Sequence, residues 1–313
     1  MLKSATSIAD QIQLLRSRGL SVDESLARQW LSNVSYCRLS AYWYPARQQG
    51  SGGQRLDTFV PGKSFDDVVA LYEADRKLRT LVHDGMERVE ITMRTRIGEI
   101  VCHPDPLAYE DPRLFRPTFN HSQWMSTARK RIARASRHND AIKHYTAHYN
   151  GRYPFWVLAE VLDFSDISRL FEGLFANQQR EISADLGFIF SLETLSTSQQ
   201  RKVKTKPPLA RWLEQLTVIR NTCAHHGRLW NKSFTPAPTA ALRTLPQFNE
   251  LPESQSERLY GALLVMAHIL RIASPGTSWP GKIAGLINHD FLTNSLVEPF
   301  SLGLAQGNTS TLG

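Results

Sequence analysis

The densest group of reactive side chains in the sequence lies between Arg220 and Gly227. This stretch reads Arg-Asn-Thr-Cys-Ala-His-His-Gly and falls near the end of a segment with helical periodicity. A histidine can take a proton from a ribose 2′-hydroxyl or give one to a leaving 5′-oxygen. A guanidinium can bind the phosphate and stabilise the charge that grows in the transition state. Arg220 and His225 therefore have the chemistry for metal-independent transesterification of RNA, which leaves 2′,3′-cyclic phosphate and 5′-hydroxyl ends.

Helical geometry predicts how these groups are distributed around the motif helix. Apolar residues form one stripe, which contains Leu209, Trp212, Leu213, Leu216, Ile219 and Cys223. Asn221 and His225 are four residues apart on the opposite face, so the amide can orient the imidazole. Arg220 lies about 140° around the helix from His225, so one straight helix does not present both groups side by side.

Two arrangements would bring the arginine and the histidine together. The last turn can unwind at Gly227, a natural helix terminator, or two chains can meet about a two-fold axis and share one cleft. His226 lies nearer the apolar stripe, and we expect a structural role for it. On residue chemistry alone, a simple helix C-cap remains an alternative, because cations are favourable at the negative end of the helix dipole.

The overall charge favours a polyanionic partner. The 313 residues carry a formal net charge of +8 with a pI near 9.5, and lysine and arginine release counterions when they neutralise phosphates. Solubility alone is the other explanation for a mild positive charge. The three cysteines form no Cys-x-x-Cys pair, and no signal-peptide-like or membrane-spanning apolar run occurs. We therefore expect a cytoplasmic protein that needs no membrane.

Basic residues concentrate in two segments that we predict to contact RNA. The first is a helical segment over residues 120–150, and the second is an expected linker ended by prolines before the motif helix. A solvated helix face is the alternative explanation for the first segment. The candidate RNA-binding residues are Arg129, Lys130, Arg131, Arg134, Arg137, Lys202, Lys204, Lys206 and Arg211.

The periodicity of the remaining chain predicts a mainly α-helical fold. Two short helices are expected within residues 6–34, and a long helix should begin at Ser64 and end before His103. Residues 155–175 should form a buried helix, and two more helices should follow at about 257–273 and 280–287. We predict an N-terminal helical module over residues 1–50, a helical domain over 60–290, and a Gly, Ser and Thr-rich tail over 291–313 that is expected to be disordered.

Several ordered motifs resemble those of a known family. Arg220 with His225 matches the Arg-x4-His signature of the HEPN superfamily, including a polar residue after the arginine. The wider context resembles the abortive-infection (Abi) family of bacterial phage-defence proteins. The matching pieces are Gln11-Ile12, Arg18-Gly19-Leu20, Tyr36 to Pro45, Leu71-Tyr72, Asp75-Arg76, Leu78-Arg79, Val89-Glu90-Ile91 with Arg94, Pro154 to Val157 with Glu160-Val161, and Arg220 to Asn231.

The resemblance implies an all-α, HEPN-like helical bundle with a small N-terminal helical module and additional C-terminal helices. It also implies a homodimer and a metal-independent endoribonuclease in phage defence, with catalytic residues at Arg220 and His225 and a supporting Asn221. Glu90 would orient Arg220, although Glu90 and Arg94 also have the spacing of an ordinary helical ion pair. His226, Glu90 and Arg94 are therefore candidate supporting residues.

The sequence departs from the family pattern at two places. Gly227 stands where HEPN toxins that are silenced by nucleotide transfer carry a tyrosine, and the C-terminus lacks the Gly-Phe-Pro type of ending. Two other functions remain open. The chain would then be a non-cleaving HEPN protein that binds a structured or guide-like RNA, or the toxin of a toxin–antitoxin pair with a non-coding RNA or antitoxin partner.

Other chemistries find little support in the residues. Gly62-Lys63-Ser64 lacks the first glycine of a phosphate loop, because that position is Asp57. His144 and His148 have the spacing to share a helix face, but no clear third ligand for zinc is nearby in the sequence. The aromatic run of Tyr36, Tyr42, Trp43 and Tyr44 has apolar neighbours, which favours packing over base stacking. No metal and no cofactor are expected.

Overall fold

The fold was analysed in a computed structural model, which describes residues 4–249, 251–252, 255–305, 309 and 312. Within these residues it contains thirteen α-helices and one two-stranded sheet, which confirms the predicted all-α class. The helices are α1 (Ile8–Ser17), α2 (Glu24–Val34), α3 (Tyr36–Trp43), α4 (Phe65–Cys102), α5 (His121–Ala135), α6 (Asp140–His148), α7 (Phe155–Ala159), α8 (Phe164–Gly173), α9 (Ala176–Asp185), α10 (Thr197–Thr205), α11 (Leu209–Ala224), α12 (Leu259–Ala273) and α13 (Trp279–Leu286). The strands are β1 (Arg47–Gln49) and β2 (Arg55–Phe59).

Helix α4 is the long helix that the sequence predicts, and it forms the centre of the bundle. Its start is fixed by a capping box, in which the Ser64 hydroxyl accepts from the Asp67 amide at 3.1 Å and the Asp67 carboxylate accepts from the Ser64 amide at 3.3 Å. Buried residues recur along its 38 residues, so it offers apolar surface over most of its length. Helices α3, α7, α8, α11, α12 and α13 pack against it.

Helix α11 carries the Arg220 motif and packs against α4, α8 and α12. All six side chains of its predicted apolar stripe are buried, each with an exposed fraction of 2% or less. Polar contacts hold the same face: the Trp212 indole donates to the Pro238 carbonyl, and the Gln215 amide donates to the Thr235 and Ser256 carbonyls. The backbone position of the motif is therefore determined by the core.

The N-terminal helices share the core of the bundle. Leu39, Tyr42 and Trp43 of α3 are buried in one apolar cluster that also contains residues of α4, α11 and α12. The polar stretch after α3, at residues 48–53, belongs to an antiparallel hairpin, in which Arg47 lies opposite Phe59 and Gln49 lies opposite Arg55.

Local signals missed the break between α7 and α8 and the helices α9 and α10. The buried segment over 155–175 is not one helix, because it is broken between α7 and α8, and α9 then follows. The expected linker before the motif helix contains α10, whose start is capped by Ser196 with Gln199. Because α10 is helical, its basic residues are displayed on a rigid surface.

The C-terminal residues that the structure describes pack against the bundle. The expected tail begins at residue 291, yet Phe291, Leu302, Leu304 and Leu312 are almost fully buried. These apolar side chains explain the packing, because their removal from water lowers the free energy more than the burial of the polar residues around them raises it. The remaining tail positions, 306–308, 310, 311 and 313, lie outside the described residues.

Helix α12 is strongly apolar, and its residues from Leu259 to Leu270 are all buried inside the bundle. With 15 residues it is shorter than the roughly 20 that a bilayer requires. Within the described ranges, no helix combines the length and the apolar character needed to cross a membrane.

Candidate functional site

The motif helix ends in a tight, hydrogen-bonded cap. The amide of His226 donates to the Cys223 carbonyl at 2.9 Å, and the amide of Gly227 donates to the Thr222 carbonyl at 2.7 Å. This pattern is a Schellman motif, and the left-handed residue within it is His226, with φ of 54°. The predicted terminator, Gly227, has a different role: a Cβ there would lie 2.9 Å from Thr222 Cγ2, so the chain passes too close for a side chain.

The loop after the cap is held by the buried carboxylate of Asp75 on α4. Asp75 is 0% exposed and accepts hydrogen bonds from the amides of Leu229 at 3.1 Å and Trp230 at 2.8 Å. It also accepts from the Tyr42 hydroxyl at 2.7 Å and pairs with Arg79. Burial and the Asp75 carboxylate raise the pKa of Tyr42 well above its usual range, so the hydroxyl stays a donor.

Two arginines also hold this loop: Arg38, which lies on α3, and Arg228, which belongs to the loop itself. Arg38 Nη1 donates to the His226 carbonyl at 2.6 Å, and Arg228 donates to the Ala41 carbonyl. The carbonyl contact at His226 fixes the backbone of a residue in an uncommon conformation. Sequence patterns alone predict no role for Arg38 or Asp75, although both lie within the motifs that carry the family resemblance.

Arg220 opens onto a surface cleft of about 490 Å³, here called the Arg220 cleft. Its guanidinium is partly exposed, and Arg220 Nε lies 3.9 Å from Glu90 Oε2. The other oxygen, Glu90 Oε1, is 2.6 Å from Arg94 Nη2, which also donates to the Leu162 carbonyl at 2.9 Å. The cleft is lined by His83, Asp84, Met86, Glu87, Glu90, Ile91, Arg94, Glu160 and Arg220.

Glu90 lies between the two arginines that the sequence analysis gave as its possible partners. It forms the helical ion pair with Arg94, and it lies beside Arg220 in a position to orient it. Glu90 is only 12% exposed, so the pair is not the ordinary surface pair expected from the spacing alone. Burial raises the pKa of Glu90, and the charges of Arg94 and Arg220 oppose this rise.

A second cleft of about 420 Å³, here called the His226 cleft, lies on the other side of the motif. The two clefts differ in charge: the Arg220 cleft contains four carboxylates, whereas the described lining of the His226 cleft contains arginines and histidines and no carboxylate. His83 of α4 lines both clefts, and neither His83 nor the second cleft was identified from the sequence. The lining residues of the His226 cleft are Arg38, Tyr72, Arg76, Arg79, Thr80, His83, Cys223 and His226.

The structure places the two histidines of the motif differently from the expectation. His226 was expected to lean inward, but its side chain is exposed and lines the His226 cleft. The reason is its left-handed backbone, with φ of 54°, which ends the helix, so the side-chain directions of a regular helix no longer apply at this position. His225 and Asn221 are both exposed, as predicted. His225 lines neither cleft.

The predicted RNA-binding residues fall into two groups. Arg131 pairs with Asp163 at 2.5 Å and Asp166 at 2.8 Å, and Arg134 pairs with Asp163 at 3.2 Å, so both hold α5 to the start of α8. Arg211 pairs with Glu214 at 2.5 Å. The other side chains are exposed and have no ion pair with any described residue; these are Arg129, Lys130, Arg137, Lys202, Lys204 and Lys206.

The remaining candidates take structural positions. The rings of His144 and His148 are 4.7 Å apart on α6, and among the described residues no three histidine, cysteine or acidic side chains converge as a metal site. Tyr42 and Trp43 are buried, and Tyr36 packs edge-on against Trp43 at 4.9 Å, so most of the aromatic run packs into the bundle. Tyr44 is the exposed member.

Comparison with known proteins gives one family. The model of the Abi-like protein family matches residues 29–231, which is most of the chain. No curated protein and no solved structure matches the chain. The matched region begins in α2 and ends just after Trp230, so it contains α4, α11, the loop held by Asp75 and all the residues that line the two clefts. The chain belongs to the Abi-like protein family.

Proposed function

We propose that the chain is a metal-independent endoribonuclease that acts in abortive infection. The observation that carries the proposal is the Arg220-x4-His225 motif at the end of a helix whose terminal loop is fixed by Asp75 and Arg38. A fixed backbone is what catalysis by positioned side chains requires. Membership of the Abi-like family supports the setting in phage defence, and the resemblance to the HEPN superfamily supports the chemistry.

The reaction needs one phosphate-binding group and two proton transfers. The ribose 2′-oxygen attacks the phosphorus while its proton passes to a base, and the bond from phosphorus to the 5′-oxygen breaks as that oxygen receives a proton. Arg220, oriented by Glu90, binds the phosphate and stabilises its charge. His225 transfers a proton, and Asn221 supports it. His226 lines the neighbouring cleft and fixes the cap.

The proposed site is completed by a second copy of the chain. His225 lines neither cleft, and the Arg220 cleft of one protomer contains four carboxylates that repel a phosphate. A two-fold contact through the exposed face of α11 would bring a second His225 and second cations to this region. Exposed apolar side chains support such a contact, since Ile91 is 53% exposed in the cleft and Val218 is 37% exposed on α11.

The test is cleavage of end-labelled RNA by the purified chain in EDTA. Wild-type protein should produce cyclic-phosphate ends, and DNA of the same sequence should stay intact. Arg220→Ala and His225→Ala should each reduce the rate by about 100-fold or more. The matched controls are Arg28→Ala on α2 and His289→Ala, two exposed side chains away from the clefts, which should cleave like wild type. Intact RNA with the wild-type protein, or full activity in His225→Ala, would contradict the proposal.

A non-cleaving RNA-binding protein is the second candidate. The exposed cations that have no ion pair support it, since they offer a phosphate-binding surface that does not depend on the motif. Tight binding that leaves RNA intact would favour this function, with a structured RNA or an antitoxin as partner. Growth arrest on expression that disappears in Arg220→Ala would favour the ribonuclease. The same arrest with Arg220→Ala would count against the site.

A further inference from the structure

A third cleft lies at the other end of α8 and α11, away from the Arg220 motif, and we propose that it binds a nucleoside phosphate. This Arg169 cleft has a volume of about 470 Å³, within the range of small-ligand sites. The residues that carry the proposal are Arg116, Phe119, Arg169, Gln179, Lys206 and Arg211. The proposal is independent of ribonuclease activity.

The lining of the Arg169 cleft carries more positive than negative charge. Four cations from four different segments line the cleft, and Glu172 is the one carboxylate among the described lining residues. Arg169 and Lys206 make no side-chain hydrogen bond or ion pair with any described residue. Arg211 is paired with Glu214 at 2.5 Å and lies 4.0 Å from Glu172. Cations that converge on a concave surface repel one another, and an anionic ligand removes this repulsion.

Arg116 is the best-positioned cation for a phosphate. Its Nε donates to the Leu174 carbonyl at 2.8 Å, and its backbone amide donates to the Gly173 carbonyl at 2.9 Å, so the guanidinium is held in place. Burial lowers the pKa of Arg116, with only Glu172 acting in the other direction, yet an arginine keeps its charge at neutral pH. A fixed, partly desolvated guanidinium suits a phosphate, which offers two acceptors to its planar fork.

The floor and one wall explain why a nucleotide fits better than a simple anion. Gln179 is fully buried at the cleft, and its Nε2 donates to the carbonyls of Phe171, Glu172 and Leu174. Its Oε1 is buried without a hydrogen-bond partner among the described residues, so an unsatisfied acceptor lies at the base of the cleft. Inorganic phosphate would leave most of the volume and this acceptor unused.

The wall beside the charges is aromatic. Three ring atoms of Phe119 would lie 2.7 to 2.8 Å from a Cβ at Gly173, so glycine lets the ring lie directly on the end of α8. Phe119 is partly exposed in the cleft, and an aromatic face of this kind is a sequence-tolerant surface for a base. Trp124, which is 4% exposed, forms part of the floor of the Arg169 cleft. A closed floor holds a single nucleotide, whereas a continuous RNA strand needs an open groove.

The experiment is isothermal titration calorimetry on the full chain with AMP and ATP as probes. At least one of them should bind at micromolar concentration, while adenosine, ribose 5-phosphate and inorganic phosphate should each bind about tenfold more weakly or worse. Arg169→Ala and Lys206→Ala should each weaken nucleotide binding by about tenfold. Both side chains are exposed, so these variants should keep the fold. Lys143→Ala, an exposed lysine on α6, is the matched control and should bind like wild type.

Three results would overturn the proposal. The first is the absence of binding by either nucleotide at about 1 mM, and the second is inorganic phosphate that binds as well as AMP. The third is binding that Arg169→Ala leaves unchanged. If short RNA binds in an Arg169-dependent way and the nucleotides do not, the cleft belongs to an RNA surface and the nucleotide proposal fails. Arg220→Ala should retain nucleotide binding, which separates this site from the proposed ribonuclease site.

Discussion

Among the described residues, His83 alone lines both clefts beside the motif, and it shares one of them with Arg220. Because cleavage of RNA needs both a base and an acid, we predict that His83 is a second proton-transfer group. His83→Gln should slow cleavage by about 100-fold and remove one limb of the pH–rate profile. His289→Gln is the matched exposed control and should keep both limbs. A His83→Gln profile with the wild-type shape and rate would leave His83 without a part in proton transfer.

The reactivity of the Cys223 thiol shows whether the motif helix stays packed against the core. Burial, with the nearby Asp75 carboxylate, raises the pKa of Cys223 to about 12, so the folded thiol stays protonated at neutral pH. A maleimide should therefore label Cys37, which is exposed, and should label Cys223 only after unfolding. The folded thiol binds its proton more tightly than the unfolded one, so this residue lowers stability as the pH rises above about 9. Equal labelling of both thiols between pH 7 and 9 would show that the end of α11 opens.

We predict opposite changes in stability for substitutions at two neighbouring positions in the cap of α11. His226 has φ of 54°, so His226→Gly should stabilise the fold by up to about 1 kcal/mol. Gly227→Ala should destabilise it by about 1–3 kcal/mol, because the new Cβ meets Thr222 at 2.9 Å. Thermal and urea unfolding measure both changes. Gly281→Ala on α13 is the control: nothing lies within 4 Å of its Cβ position, and the change should be neutral or stabilising.

His226→Gly also separates two roles within the same element. A variant that is more stable and cleaves RNA normally would limit His226 to its backbone role in the cap. A variant that is stable but inactive would show that the imidazole in the His226 cleft takes part in the reaction. Destabilisation by His226→Gly would contradict the strain that the positive φ indicates.

At the scale of the whole molecule, Asp75 joins α3, α4 and the loop after α11. Asp75→Ala leaves Arg79, which is 7% exposed, without its counter-charge, and leaves two backbone amides without their acceptor. The free energy of unfolding should fall by about 3–5 kcal/mol. Asp84→Ala on the same helix removes a carboxylate that is 56% exposed, and it should cost less than about 1 kcal/mol. Equal effects of the two variants in urea unfolding would show that the buried network contributes little.

Local features of the sequence determined the helical class, the start of α4, and the buried face of α11. The Ser64 and Asp67 pair and the apolar spacing from Leu209 to Cys223 act within one or two helical turns, so they can be recognised without the rest of the chain. The same reasoning predicts that Arg220 and His225 lie on different sides of α11, and His225 lines neither of the two clefts beside the motif. Such reasoning did not predict the burial of Leu302 and Leu304 in the tail. The apolar surface against which these side chains pack comes from residues that are distant in the chain.

Contacts between residues distant in sequence decided the rest. Asp75 accepts from Trp230 across 155 positions, and Arg38 donates to the His226 carbonyl across 188 positions. No local pattern encodes such pairs, and they determine where the chain turns after α11 and which way His226 faces. Packing of α4 against α11 likewise placed His83 between the two clefts. Residue types and their spacing identify the side chains that have the chemistry. Their neighbours are set only when the chain folds, because charge and exposure in a cleft depend on every element that lines it.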